Sequence, residues 1–328
     1  MSHLRAVPSG PTPPSRSGSA TSVRVEAPGK VNLFLSCGAR GADGYHPLTT
    51  VFQAVRLIET VTARRQAVAA RGRVTLTIEG GPPGLPVDER NLAVRAALLL
   101  ARTTGVREGV DLLLRKRVPV AGGMAGGSAD AAAALVACNE LWELGLGAEQ
   151  LQAIGRSLGA DVPACLAGGI ALGTGRGDHM SVLREGDEEG HHHWVMLLSR
   201  EGLSTPEVFR EFDRLDAAGA PALAEPTPEE VAALCGEPEE MGHCLVNDLQ
   251  APALRLRPEL AETIGAAKDA GALAVTLSGS GPTVAALAPD AEHAQALAAT
   301  LSDAPTVARA IPTHGPAYGA RIESTEAI

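Results

Sequence analysis

Two glycine pairs, Gly122-Gly123 and Gly126-Gly127, interrupt the chain between a run that reads as a strand, GVDLLLRKRVPV, and one that reads as a helix, AAAALVACNELWELG. In the second run Ala131, Leu135, Cys138 and Trp142 recur at helical spacing. Glycine admits left-handed turns and lets backbone N–H groups approach an anion with no side chain between them. A helix starting behind such a loop adds the positive end of its dipole. The stretch from Pro119 to Asp130 therefore reads as a phosphate cradle or, alternatively, as a flexible Gly-rich turn. Either way it fixes a strand–loop–helix unit in the first half. No Gly-Lys-Ser/Thr occurs there, so it is not a Walker A loop, and no acidic residue closes a second parallel strand as a dinucleotide fingerprint requires. Ser128, at the loop exit, is placed to offer its hydroxyl to Mg²⁺ or a phosphate, or to cap the helix.

A second cluster, Ser278-Gly-Ser-Gly281, joins two predicted strands and reads as a hairpin turn unless it faces the first. Of 28 basic residues only Lys30, Lys116 and Lys268 are lysines. Lys30 follows Pro28-Gly29 and begins a strand with Asn32 two residues on, which puts both side chains on one face. Asp161 lies in Gly159-Ala-Asp-Val-Pro163 and is a turn-forming or capping residue, or, beside Lys30 in a cleft, an ionised acceptor of a hydroxyl proton. Adjacent side chains of His191, His192 and His193 diverge in any regular element, so the run reads as a solvated connector and not a metal site. Five scattered cysteines without a CxxC pair read as reduced thiols, mostly in the core. Aromatic residues make up only 2% of the chain, which draws attention to Tyr45 and Phe209 in polar surroundings.

A chain of 328 residues is expected to build two core-bearing halves. Residues 1–22, rich in Ser, Pro and Gly, read as a disordered extension. VRVEAP, VNLFLSCG, TTVFQAVRLIETVTAR and RVTLTIEG read as strands, and Asn91 stands as the N-cap of LAVRAALLLARTTG, with Gly105 past its end. The expected domains are 23–185 and 190–320, the second an α+β unit with helices on one face of an antiparallel sheet. The tail after Gly315 reads as loose. A formal charge of -10 opposes a nucleic-acid partner and favours a small molecule. The absence of an apolar run near ~18 residues opposes a membrane span and suggests a cytoplasmic protein.

Taken in order, Ala27-Pro-Gly-Lys-Val-Asn32, Ala42-Asp-Gly-Tyr-His46, Asn91-Leu92, Lys116 to Asp130, Gly159 to Pro163, Leu203 to Phe209, Asn247-Asp-Leu249 and Ser278 to Gly281 resemble the galactokinase, homoserine kinase, mevalonate kinase and phosphomevalonate kinase (GHMP) superfamily. The resemblance implies an α+β, two-domain GHMP kinase fold: an N-terminal ribosomal-protein-S5-like α/β domain and a C-terminal ferredoxin-like α+β domain. It implies ATP and Mg²⁺ as cofactors and a small-molecule alcohol as acceptor. Through its Asp-Gly-Tyr-His and Gly-Ala-Asp-Val-Pro segments the resemblance further implies a cytidine diphosphate-linked methylerythritol as acceptor, phosphorylated on its 2-hydroxyl in the non-mevalonate isoprenoid pathway. Another small-alcohol kinase and a non-catalytic nucleotide-binding regulator are the alternatives. By matching position, Asp161 would be the base and Lys30 its electrostatic partner. Asn32, Tyr45, His46, Phe209, Gly279 and Ser280 would hold the substrate. Asn91, Lys116, Pro119, Val120, Ala121, Gly122, Gly123, Met124, Ala125, Gly126, Gly127, Ser128 and Ala129 would surround ATP, with Ser128 toward Mg²⁺. Met124 and Ala125 depart from the usual Leu and Gly of this loop. A monomer or weak homodimer is expected.

Overall fold

The structure, a computed structural model, describes residues 20–66, 72–120, 122–215 and 222–327. The first half runs β1 (Ala20–Cys37), β2 (Leu48–Arg65), β3 (Val74–Gly80), α1 (Leu92–Thr104), β4 (Val110–Lys116), α2 (Gly126–Leu141), α3 (Ala148–Arg156), α4 (Val162–Ala167), β5 (Ile170–Thr174) and β6 (His179–Arg184). The second runs β7 (His192–Ser199), α5 (Thr205–Leu215), α6 (Pro228–Leu234), α7 (Pro238–His243), β8 (Val246–Asn247), α8 (Gln250–Leu256), α9 (Glu259–Asp269), β9 (Ala274–Leu277), β10 (Val284–Ala288), α10 (Ala291–Leu301), β11 (Val307–Gly315) and β12 (Arg321–Ala327).

The first sheet has the order β12-β1-β2-β4-β3, with β5 on the far stretch of β2, β6 beyond β5, and β8 alongside β1. Helices α1 and α2 cover one face. Ala131, Ala132, Ala133 and Ala134 are all fully buried, so α2 is sheathed by neighbours on nearly every side, and only small side chains permit that approach. The cap of α1 is as expected: Asn91 Oδ1 accepts from the Ala93 amide at 2.9 Å, and Gly105 ends the helix in the left-handed region. The second sheet, β11-β7-β10-β9, is antiparallel throughout. One face of β7 and β10 packs on α9 and α10 through Val195, Leu197, Val284 and Ala286. The other presents Trp194, Met196, Ala285 and Leu287 to Val31, Leu33, Val51 and Val55 of the first sheet, so the two halves share a core. Among the described residues no helix is long and apolar enough to cross a membrane.

Four local expectations are corrected. The strands read at VRVEAP and VNLFLSCG are one, β1; its pairing with β2 slips at Pro28/Gly29 and Asn32/Phe34, and such irregularities accommodate proline in a paired strand. β1 begins at Ala20, three residues inside the presumed extension, whose residues 1–19 lie outside those described. The tail after Gly315 is tied down: the Ala320 amide donates to Cys165 O at 2.9 Å, and β12 pairs antiparallel with β1. In the histidine run, His192 is fully buried in β7, while His191 is exposed.

Candidate active site

The two glycine clusters face each other. Ser278 Oγ lies 3.0 Å from Gly123 O and 3.2 Å from Lys30 O. A Cβ on Gly123, at φ 75°, would fall 2.1 Å from Ser278 O, so only glycine fits this crossing. The Lys30 amide donates to Met124 O at 3.2 Å, and a Cβ on Gly29 would meet the same oxygen. Strand β1, the Gly-rich loop and the β9–β10 turn thus meet at Lys30.

There the lysine is almost fully buried, and its Nζ donates to Asn32 Oδ1 at 2.7 Å. Asn32 in turn donates to Thr50 Oγ1 at 2.9 Å, which donates to Phe34 O at 2.7 Å. The expected shared face of Lys30 and Asn32 is therefore present. Asp161 occupies the cap position of α4 yet makes no side-chain capping bond; its carboxylate lies 3.9 Å from Lys30 Nζ and keeps 36% of its surface exposed. Gly279 adopts φ 58°, close enough that an added Cβ would fall 3.1 Å from Lys30 Nζ. Ser280 Oγ is hydrogen-bonded to Thr205 Oγ1 at 2.8 Å. Asn247 fixes this turn by donating to Leu277 O and Gly279 O, both at 2.9 Å.

Two cavities adjoin this centre. The smaller, about 370 Å³, is lined by Pro119, Val120, Gly122 through Ser128, Asn91, Lys116 and Asp130. Ala121 lies outside the described residues. Ala129 does not join the lining: it is fully buried in the core beneath α2. Nor is Ser128 the helix cap, because α2 starts at Gly126 with Ala125 before it at φ 59°. The Ser128 hydroxyl, in the first turn, makes no hydrogen bond among the described residues. Asn91 has both ends of its amide engaged, Nδ2 donating to Pro86 O at 3.0 Å.

The Lys116 ammonium is engaged by two carboxylates. Its Nζ lies 2.5 Å from Glu59 Oε1 and 2.9 Å from Asp130 Oδ2, with all three side chains nearly or fully buried. Burial pushes the Asp130 carboxyl up to about 7 against the pull of Lys116, and raises Glu59 for the same reason. Burial also works against the Lys116 charge, but Asp130 and Glu59 overcome it and hold the ammonium above lysine's usual range. Glu59 carried no signal in the sequence, since its partners lie 57 or more residues away.

The larger cavity, about 700 Å³, is lined by Tyr45, His46, Phe209, Arg156, Arg176 and the Gly159–Ala160 backbone, among others. Here the expected aromatic residues converge. His46 stacks on Phe209 with centroids 5.2 Å apart and meets Phe212 edge-on. Its Nδ1 lies 2.9 Å from Gly38 O and its Nε2 3.2 Å from Asp213. The exposed ring of Tyr45 carries the Arg176 guanidinium 3.7 Å above one face, and Arg176 is tethered to Asp43 at 2.9 Å. Arg176, in the β5–β6 turn, was not singled out in the sequence.

The GHMP kinases N-terminal domain model matches residues 91–169, and the GHMP kinases C-terminal model matches 220–307. The chain is 48% identical to 4-diphosphocytidyl-2-C-methyl-D-erythritol kinase of Thermobifida fusca, over 92% of this chain and 98% of that one. It is 47% identical to the protein of the same name from Mycolicibacterium smegmatis, over 92% of each. A crystal structure of 4-(cytidine 5'-diphospho)-2C-methyl-D-erythritol kinase superposes with a TM-score of 0.70 at 32% identity, covering 89% of this chain and 99% of that one. The homoserine kinase of Cytophaga hutchinsonii, at 21% identity and a TM-score of 0.72 over 94% of this chain and 99% of that one, shares the fold. With both cavities, the paired glycine clusters and the two-sheet architecture in agreement, the chain belongs to the 4-diphosphocytidyl-2-C-methyl-D-erythritol kinase family of GHMP kinases.

Proposed function

We infer that the chain transfers the γ-phosphate of ATP to the 2-hydroxyl of 4-diphosphocytidyl-2-C-methyl-D-erythritol, giving the 2-phosphate and ADP in the non-mevalonate route to isoprenoid precursors. The observation that carries this reading is the Lys30–Asp161 pair, 3.9 Å apart and joined through neighbouring residues to both cavities. Asp161 follows directly on Gly159 and Ala160 of the larger cavity, and Lys30 is bonded to Met124 of the loop lining the smaller.

Phosphoryl transfer asks a protein chiefly for alignment and charge stabilisation. The backbone amides of the Gly-rich loop and the N-terminus of α2 cradle the ATP phosphates in the smaller cavity. The acceptor's base occupies the larger cavity beside Tyr45, His46 and Phe209, with Asn32, Gly279 and Ser280 bordering its polyol. Asp161 accepts the proton of the 2-hydroxyl as the phosphoryl group arrives, and Lys30, oriented by Asn32, steadies the negative charge on both sides of the transfer. Mg²⁺ fits this donor set through the Ser128 hydroxyl and the phosphates, since that cation needs few protein oxygens; it would neutralise phosphate charge. The reading includes a monomer or weak homodimer acting on small molecules in the cytoplasm.

The test is ATP consumption by the full chain with Mg²⁺ and 4-diphosphocytidyl-2-C-methyl-D-erythritol, set against mevalonate and homoserine, with mass detection of the product. Turnover of the cytidyl substrate alone is expected. Turnover of another alcohol instead, or of none, would overturn the reading.

A further inference from the structure

The buried trio of Glu59, Lys116 and Asp130 sits where the first sheet gives way to the Gly-rich loop. The β2–β4 ladder ends at the Thr60–Arg115 pair, and the β3–β4 ladder at Gly80–Lys116. The next two amides of the chain would then lack strand partners. Glu59 supplies them: its Oε2 accepts from the Arg117 amide at 2.9 Å and its Oε1 from the Val118 amide at 3.2 Å. The same carboxylate binds Lys116 Nζ at 2.5 Å, and Lys116 reaches across to both oxygens of Asp130, at 2.9 and 3.1 Å, as α2 enters its second turn. One side chain thereby holds the incoming end of the loop and, through Lys116, its outgoing end.

We propose that Glu59 is a positioning residue for the ATP cradle, tying both ends of the Gly-rich loop through Lys116 and Asp130. The proposal rests on the placement of ATP in the smaller cavity, given above. A loop dense in glycine loses more conformational freedom on ordering than any other, so an anion site built from its amides depends on anchors outside it. Ser278 anchors its middle at Gly123, and the trio anchors its ends. A buried charge network is strongly specified, because removal of one partner leaves another charge uncompensated. Lys116 accordingly serves ATP through the backbone it fixes, its three protons being directed at carboxylates.

The experiment measures the affinity of the full chain for a fluorescent ATP analogue by direct titration, together with the KM of the acceptor at saturating ATP. In Glu59→Gln one acceptor oxygen becomes an amide that faces an N–H or ammonium donor. A loss of ATP-analogue affinity of roughly tenfold is expected, with the acceptor KM within about twofold of the parent. Asp130→Asn keeps an oxygen for Lys116 and should show the same selective loss at smaller size. It decides the question if Glu59→Gln does not fold. Unchanged analogue affinity in a folded variant, or equal losses toward both substrates, would overturn the proposal. If the parent chain itself does not bind the analogue, the assignment of the smaller cavity to ATP fails, which is a different result.

Discussion

Asp161 is available for chemistry because α4 does not use it. An aspartate at a helix cap ordinarily turns its carboxylate onto the first-turn amides, but here no such bond forms and the side chain stays partly open toward Lys30. Asp161→Asn keeps the shape and removes the proposed proton acceptor. Turnover should fall by about 10²–10⁴ with the affinity for an ATP analogue unchanged; near-parental turnover would remove Asp161 from the mechanism. Ala125 holds φ 59° just before α2, where a Cβ is penalised by ~1–2 kcal/mol. Ala125→Gly relieves that strain and loses part of the gain to a freer unfolded chain, leaving a net stabilisation of about 0.5–1 kcal/mol, readable as a rise in the urea midpoint. At this scale the sequence showed Lys30 and Asn32 well, since their contact follows from strand alternation. It put Lys116 beside the glycine loop, where the residue lines the smaller cavity, but gave no sign that Glu59 and Asp130 engage its ammonium.

Among the elements, β1 and β12 teach the most. Pro28-Gly29 resembles a break between two strands, yet a slip in the pairing with β2 carries one strand through it. β12 was illegible for the opposite reason. Its residues RIESTEA are mostly polar and exposed, as befits an edge strand, so no apolar alternation announced it. Its contribution is backbone pairing along β1 from Ala20 to Glu26, over the buried Val23 and Val25. Removal of residues 321–328 should therefore lower the thermal midpoint by several degrees, while the folded fraction keeps the parental kcat, because the pairing ends before Lys30. An unaltered midpoint would show that β12 adds nothing to β1. Helices α1 and α2 were legible as elements from apolar spacing, although α2 begins inside the glycine cluster and so displaces Ser128 from the cap.

Across the whole molecule the halves are joined by a buried polar chain. Trp194 Nε1 donates to Gln53 Oε1 at 2.8 Å, Gln53 Nε2 to His192 Nδ1 at 2.5 Å, and His192 Nε2 to Gly236 O at 2.8 Å. Every donor has an acceptor only if the imidazole is neutral, and burial holds His192 down to about 4. Between pH 6.5 and 4 the unfolded chain takes up this proton and the folded one does not. Stability from this group is therefore complete above pH 6.5 and lost progressively toward pH 4, by up to about 3 kcal/mol. His192→Gln should start less stable at pH 7 and lose less on acidification to pH 4.5, as read by thermal midpoints; parallel slopes would exclude His192. The run of three histidines concealed this, since spacing places alternate residues on opposite faces without saying which face is covered.

The return of the chain to β1 also orders its biosynthesis. The first sheet receives β12 only after both strands and helices of the second half have left the ribosome, and α4 receives its Ala320–Cys165 bond at the same late stage. A nascent chain exposed as far as residue 315 would hold Lys30, Asp161 and both glycine clusters and still carry a bare edge on β1. The domain that is translated first is thus the last to be sealed, and its unpaired edge is the surface that needs protection while translation continues.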